Sequence, residues 1–300
     1  MERTKSLILL FSIFLIISCK DITNTKVSDD EIWRLGWRMI ENSLNENIEL
    51  ADSQFDSLRN ISNGIDIKFL ETGLETKSKL GKKEEIISIL NQQREEVRKQ
   101  ICSEQFLSNL EPCDNLSIEN VENKLLQIEL ISMYVDDQAS RGNLMEDVIS
   151  KYGLDTTGIA RENEGGVDRR NRNRLKEIIN EVGFPNKKMV GKDAMDGIFF
   201  IVQHSDGDKE WQKSQLPKIE SAVKNGDMEG QDYAYLYDRI KINSGEKQLY
   251  GTQFLNVDPV LKTFELANTE DIDNLDKRRM EIGMMPIEMY KRFMLKYLSQ

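Results

Sequence analysis

Histidine is almost missing from this chain, with a single residue, His204, among 300. One imidazole excludes the HExxH helix and the histidine-rich zinc sites. Cysteine is nearly as scarce, limited to Cys19, Cys102 and Cys113. The glycines never fall in a GxGxxG pattern, no GxSxG elbow occurs, and Gly191-Lys192 has Asn186 where a P-loop needs glycine. The acid-rich stretch 205–210 (SDGDKE) does not keep the register of a calcium loop. Positive charge is also short. With 41 Lys and Arg against 52 Asp and Glu the net charge is −11, which argues against nucleic acid as a partner. The reading is therefore of a protein without metal or cofactor.

Long apolar runs are confined to the first residues. Leu7–Ile17 lies behind Arg3 and Lys5 and as a helix would rise about 16 Å, roughly half of a ~30 Å hydrocarbon core. That is too short for a span and suits the core of a cleaved export signal. The run closes on Ile16, Ile17, Ser18 and Cys19, which resembles the lipobox of secreted bacterial lipoproteins. The resemblance implies residues 1–18 as a signal peptide and Cys19 as an acylated N-terminus. Lys20, with no Asp at that position, further implies the outer membrane of the cell envelope. An acidic chain gains nothing from an anionic membrane surface, so membrane association is assigned to the lipid. In an oxidising compartment, Cys102 and Cys113 are expected to form a disulfide, with two buried thiols as the alternative.

Polar, aperiodic residues 19–28 read as a tether. Residues 29–115 read as an N-terminal helical accessory region, with Asp29 and Asp30 at its first cap and a helical hairpin over 70–90. Residues 116–300 read as the principal domain. A helix is expected from Ser117 with Val121, Leu125 and Ile128 on one stripe, another over Val167–Val182 ending at Gly183, and a central, nearly all-apolar helix around Ala194–Val202. After a helix at Trp211–Val223 and a short one at Tyr233–Tyr237, the period changes. Asp238–Ile242, a turn at 243–245, Gln248–Phe254 and Val260–Leu266 are expected as a β-hairpin or small meander. Two helices around Arg278 and Tyr290 follow. The fold class is mainly α with a small antiparallel element near the C-terminus.

His204 sits in QHSD at the end of the most apolar helix, where the helix terminus favours imidazolium and Asp206 is close enough to orient the ring. Of Arg169, Arg170, Arg172 and Arg174, most are expected on a solvated face, with Arg174, next to Leu175, as the exception. A longer pattern runs through DQxxR (Asp137, Gln138, Arg141), DxxNxxRLxxII (Asp168, Asn171, Arg174), GFPxxxxVG (183–191), QHSD, LYDR (to Arg239), QxYGTQ (Gln248, Tyr250, Gln253) and LDxRRxxxG (275–283). These seven elements, in this order, resemble an uncharacterised bacterial family of unknown function, which usually has Trp at 184 and Ala at 205. The resemblance implies one mostly helical domain and brings no activity with it.

Such polar residues are expensive to bury unpaired, so they either converge on a cleft or form a buried network. Convergence would make His204 a general acid or base, Asp206 its orienter, and Gln138, Arg141, Asn171, Arg174, Arg239, Gln248, Tyr250 and Gln253 ligand-binding groups. The expectation is a lipid-anchored envelope protein that binds a polar small molecule or an envelope protein. The alternative is a metal-independent hydrolase or transferase built on His204.

Overall fold

A capping box opens the described chain: Ser28 Oγ accepts the Glu31 amide, and the Glu31 carboxylate accepts the Ser28 amide. Asp29 and Asp30 therefore fall in the first helical turn, where their charge complements the helix dipole. The computed structural model describes residues 27–297 except 63, 103, 108, 115, 117–120, 156–162 and 259. Cys19, the leader and residues 19–26 of the tether lie outside them.

The N-terminal part is a layer of five helices: α1 (Asp29–Leu44), α2 (Ile48–Ile61), α3 (Ile67–Lys79), α4 (Lys83–Asn91) and α5 (Glu95–Ile101). Its core gathers Trp33, Trp37, Phe55, Leu58, Phe69 and Leu74. Two short 3-10 turns follow, and a disulfide joins Cys102 to Cys113 across Cα atoms 5.4 Å apart.

The second part comprises α6 (Lys124–Ser140), α7 (Glu146–Tyr152), α8 (Glu164–Val182), α9 (Lys187–Val190), α10 (Lys192–Gln203), α11 (Lys209–Lys224) and α12 (Gly230–Asn243). The antiparallel strands β1 (Phe254–Asp258) and β2 (Thr263–Leu266) come next, followed by α13 (Leu275–Glu281) and α14 (Ile287–Tyr297). As its all-round apolarity requires, α10 is central, with Met195, Ile198, Ile201 and Val202 buried among α6, α8, α11 and α12. Gly197 lets α6 approach closely, since a Cβ there would come within 2.9 Å of Tyr134 Cβ. Among the described residues no helix is long and apolar enough to cross a membrane.

The two parts interlock through the end of the chain. Trp33 Nε1 donates to Met284 O (2.7 Å), Lys68 Nζ donates to Gly283 O (3.0 Å), and Arg292 pairs with Glu41 (2.7 Å). Met289 of α14 is buried in the N-terminal core.

Two local expectations change. Residues 117–120 lie outside the described residues, and α6 begins only at Lys124, capped by Asn123. Its buried stripe is Leu126, Leu130 and Met133, while Leu125 is 86% exposed. The stretch 238–242 is not a strand but the last turns of α12, and the expected turn at 243–245 ends that helix. Leu236 and Ile240 are buried one helical turn apart, a pattern that a short apolar run does not distinguish from a strand. Asp238 then removes residues 249–252 from any ladder, because its carboxylate accepts the amides of Leu249, Tyr250 and Thr252. Apart from an isolated parallel bridge of Gln248 to Thr269, pairing starts at Phe254, opposite Leu266, so the sheet has two strands.

Candidate functional site

The most apolar helix delivers His204 to the surface. His204 caps the C-terminus of α10, its amide donating to Phe200 O (2.9 Å), and it is 16% exposed at the side chain. Its Nδ1 lies 2.8 and 3.0 Å from the two carboxylate oxygens of Asp137 on α6. A carboxylate only accepts, so Nδ1 donates its N–H to Asp137 and Nε2 is the ring nitrogen left over. That Nε2 has no hydrogen-bond partner among the described residues.

Asp137 is essentially inaccessible and is held from two further directions. Gln138 Nε2 donates to it at 2.8 Å and Arg141 Nη1 at 3.2 Å. Arg141 then reaches Asp168 on α8 through Nη2 (2.8 Å), so three helices meet in one chain of polar groups: His204, Asp137, Arg141 and Asp168. Ligand atoms of Asp137, Asp168 and His204 all lie within 4.8 Å of one another, a spacing a cation could use. Arg141 already bridges both carboxylates and supplies the positive charge they require.

Asp206 was expected to orient His204, but Asp137 does so. Asp206 instead accepts from Arg239 Nε (3.1 Å), Gln212 (3.2 Å) and Asn243 (3.2 Å). Burial pushes the Asp206 carboxyl up, but Arg239 outweighs it and holds the group below the usual carboxylate range.

His204 borders two clefts. One, of about 420 Å³, has aromatic walls of Tyr134, Phe199 and Phe200 and an acidic end of Asp196, Glu229 and Asp232. Burial, with Asp196 adding like charge, pushes the Asp232 carboxyl up to about 7. The other, of about 430 Å³, is lined by Arg141, Asp168, Arg169, Arg172, Asp206 and Arg239, together with Glu164, Gly165 and Gly207.

Arg172 is the residue that sequence reasoning passed over. It is only 9% exposed, its Nε is buried with no partner, and no described residue forms a hydrogen bond or ion pair with its guanidinium. The signal was present in the spacing: Arg172 stands four residues after Asp168 and three before the buried Leu175, on the inner side of α8. Arg174, the expected exception, lies on the outer side and pairs with Glu129 (2.5 Å) and Glu177 (2.9 Å). Asp137 was also passed over as a partner, although it stands in the DQxxR element.

The remaining candidates line neither cleft. Asn171 donates to Met133 O (2.9 Å) and pins α8 against α6. Gln248 is fully buried, donating to Ala267 O (2.9 Å) and Gln253 O (3.0 Å) and accepting the Gln253 amide. Gln253 donates to Thr252 Oγ1 (3.0 Å), and Tyr250 packs edge-on against Tyr233 and Tyr237. Buried Arg279 donates to the carbonyls of Met285 and Tyr250. The QxYGTQ and LDxRR elements thus lock a loop, leaving the DQxxR, QHSD and LYDR elements and Asp168 of the DxxNxxR element around His204.

Fold and site together describe a mainly helical scaffold with a small β-ribbon and a carboxylate-oriented histidine between two clefts. A family of unknown function, DUF6624, matches residues 124–298, and the chain belongs to it. No curated protein and no solved structure matches the chain.

Proposed function

We propose that the protein is a lipid-anchored cell-envelope protein whose family domain binds a polar ligand where the two clefts meet at His204. The lipobox-like ending at Cys19 supports the anchor. Cys19→Ser should leave an uncleaved precursor that no longer partitions as a lipoprotein. Mature-sized product still held by membranes would contradict the anchor.

The binding reading rests on one observation: Asp137 fixes the His204 tautomer, and Nε2 is left without a partner between two openings. Since His204 is the sole histidine, its imidazole nitrogens are assigned by composition in a ¹⁵N NMR spectrum. A polar compound that raises the melting temperature should move the Nε2 resonance, and His204→Gln should abolish that stabilisation. Stabilisation that persists in His204→Gln would place the ligand elsewhere.

The Asp137–His204 pair favours a second reading, hydrolysis or group transfer with His204 as general acid or base. Turnover lost in His204→Gln, with binding retained, would select it.

A further inference from the structure

We infer that Arg172 is the anchor of an oxyanion site, so that the polar ligand carries a phosphate or carboxylate group beside His204. This inference rests on the proposed binding role of the His204 clefts and adds the chemical class of the ligand. Arg172 Nε is a buried donor with no partner, and such a donor is costly because its desolvation is offset by neither an ion pair nor a hydrogen bond. Other buried cations in this protein have found acceptors: Lys77 has three carboxylates, and Arg279 has backbone carbonyls at Nε and Nη1, with only its Nη2 left over. Arg172 has none among the described residues, and it lines an opening where a ligand could supply them.

The surroundings fit an anion in three ways. First, the cleft's carboxylates are already neutralised in part, Asp168 by Arg141 at 2.8 Å and Asp206 by Arg239. That leaves Arg172 and exposed Arg169 facing one exposed carboxylate, Glu164. Second, Glu164 and Gly165 belong to the first turn of α8, whose Asn163 cap takes only the Gly166 amide, so the positive end of a 19-residue helix borders the cleft. Third, Gly207 keeps the guanidinium accessible, since a Cβ there would stand 3.3 Å from Arg172 Nη1. A guanidinium fork matches the two oxygens of a carboxylate or phosphate, and His204 Nε–H, once the ring is protonated, would add a further donor.

The test is titration of the full-length chain with inorganic phosphate and with succinate, followed by calorimetry and by the His204 ¹⁵N resonances. At least one anion should bind saturably and move Nε2, and the stronger of the two identifies phosphate or carboxylate as the group preferred. Arg172→Gln should weaken that binding by about tenfold or more, with Arg172→Lys intermediate because a point charge replaces the fork. Lys224→Gln, at an exposed pair with Glu220, should bind as the parent does. Should Arg172→Gln not fold, the Arg172→Lys comparison decides. Equal affinity in parent and Arg172 variants, or no saturable binding of either anion up to tens of millimolar, overturns the inference. If sucrose, a neutral probe, still moves the His204 resonances while both anions fail, the binding site at His204 stands and only the anion assignment falls.

Discussion

Two clusters of buried charge in this protein differ in whether they are closed. In the N-terminal layer, Lys77 is fully buried and meets Asp52 (2.8 Å), Glu85 (2.7 Å) and Asp56 (3.0 Å), while Lys82 caps the other oxygen of Asp52 (2.6 Å). Burial pulls the Lys77 amine down, but its carboxylate partners outweigh it and raise it above the usual lysine range. All three ammonium donors are used, and nothing is left to offer a ligand. Around His204, the chain from Asp137 to Asp168 is equally well paired, yet it ends on a free imidazole nitrogen and stands beside an unpaired guanidinium. A closed cluster holds helices together, whereas an open one holds donors ready for something else.

The largest expected effect breaks the closed cluster. Lys77→Met should cost about 3 kcal/mol or more in urea unfolding, because Asp52 and its neighbours lose a buried counter-charge. A loss under about 1 kcal/mol would mean that Lys82 alone satisfies Asp52.

Next comes the covalent tie in the same region. Reducing Cys102–Cys113, or replacing both with serine, should destabilise the protein by about 3 kcal/mol in the chain-entropy model, read as a lower melting temperature. Free thiols alkylated in the natively exported protein would show that the bond does not form there.

Asp232 sharpens the comparison from the acidic side of the His204 clefts. Its carboxyl is raised to about 7, above the unfolded value of about 4, so its contribution to stability is full below about pH 4. That contribution is lost as pH rises through about 7. Asp232→Asn keeps an acceptor for the Glu229 amide and should flatten the stability decline between about pH 4 and about pH 7. Glu71, also pushed up to about 7 by burial and by Glu104, should leave a residual slope that Glu71→Gln removes. An unchanged slope in the double variant would locate the titration elsewhere.

The smallest effect has the opposite sign to the first. Arg172→Met removes an unpaired buried charge and should leave stability unchanged or raise it by about 1 kcal/mol. Destabilisation of several kcal/mol would show that Arg172 serves the fold, as Lys77 does.

Much of the scaffold was legible before the coordinates. Helical spacing marked the N-terminal region as helical, the extent of α8 to Gly183, the central place of α10 and the two closing helices, because a 3.6-residue period is a local property that burial enforces. The hairpin was placed too early for an equally physical reason. Asp238 looks like a strand residue by its neighbours, and only the loop folding back onto its carboxylate shows that it ends a helix. Likewise Gln248 and Gln253 read as ligand contacts, since polarity alone does not tell a buried backbone brace from a site.

Sequence by itself determined the mainly helical class and the singular position of His204 at the end of an apolar helix, while it left Cys102 and Cys113 as either a disulfide or two buried thiols until the fold brought their Cα atoms to 5.4 Å. Tertiary structure decided which carboxylate faces the His204 ring. Asp137 is 67 residues away, Asp206 only two, and the crossing of α6 over α10 selects the distant one. It also decided which arginine of α8 stays unpaired: Arg174 turns outward to Glu129, while Arg172 turns inward beside Gly207, where no described acidic group hydrogen-bonds or ion-pairs with it. Periodicity specifies which face of a helix is inside, but the partner of a charge depends on which helices meet there, and that is set only when the core packs.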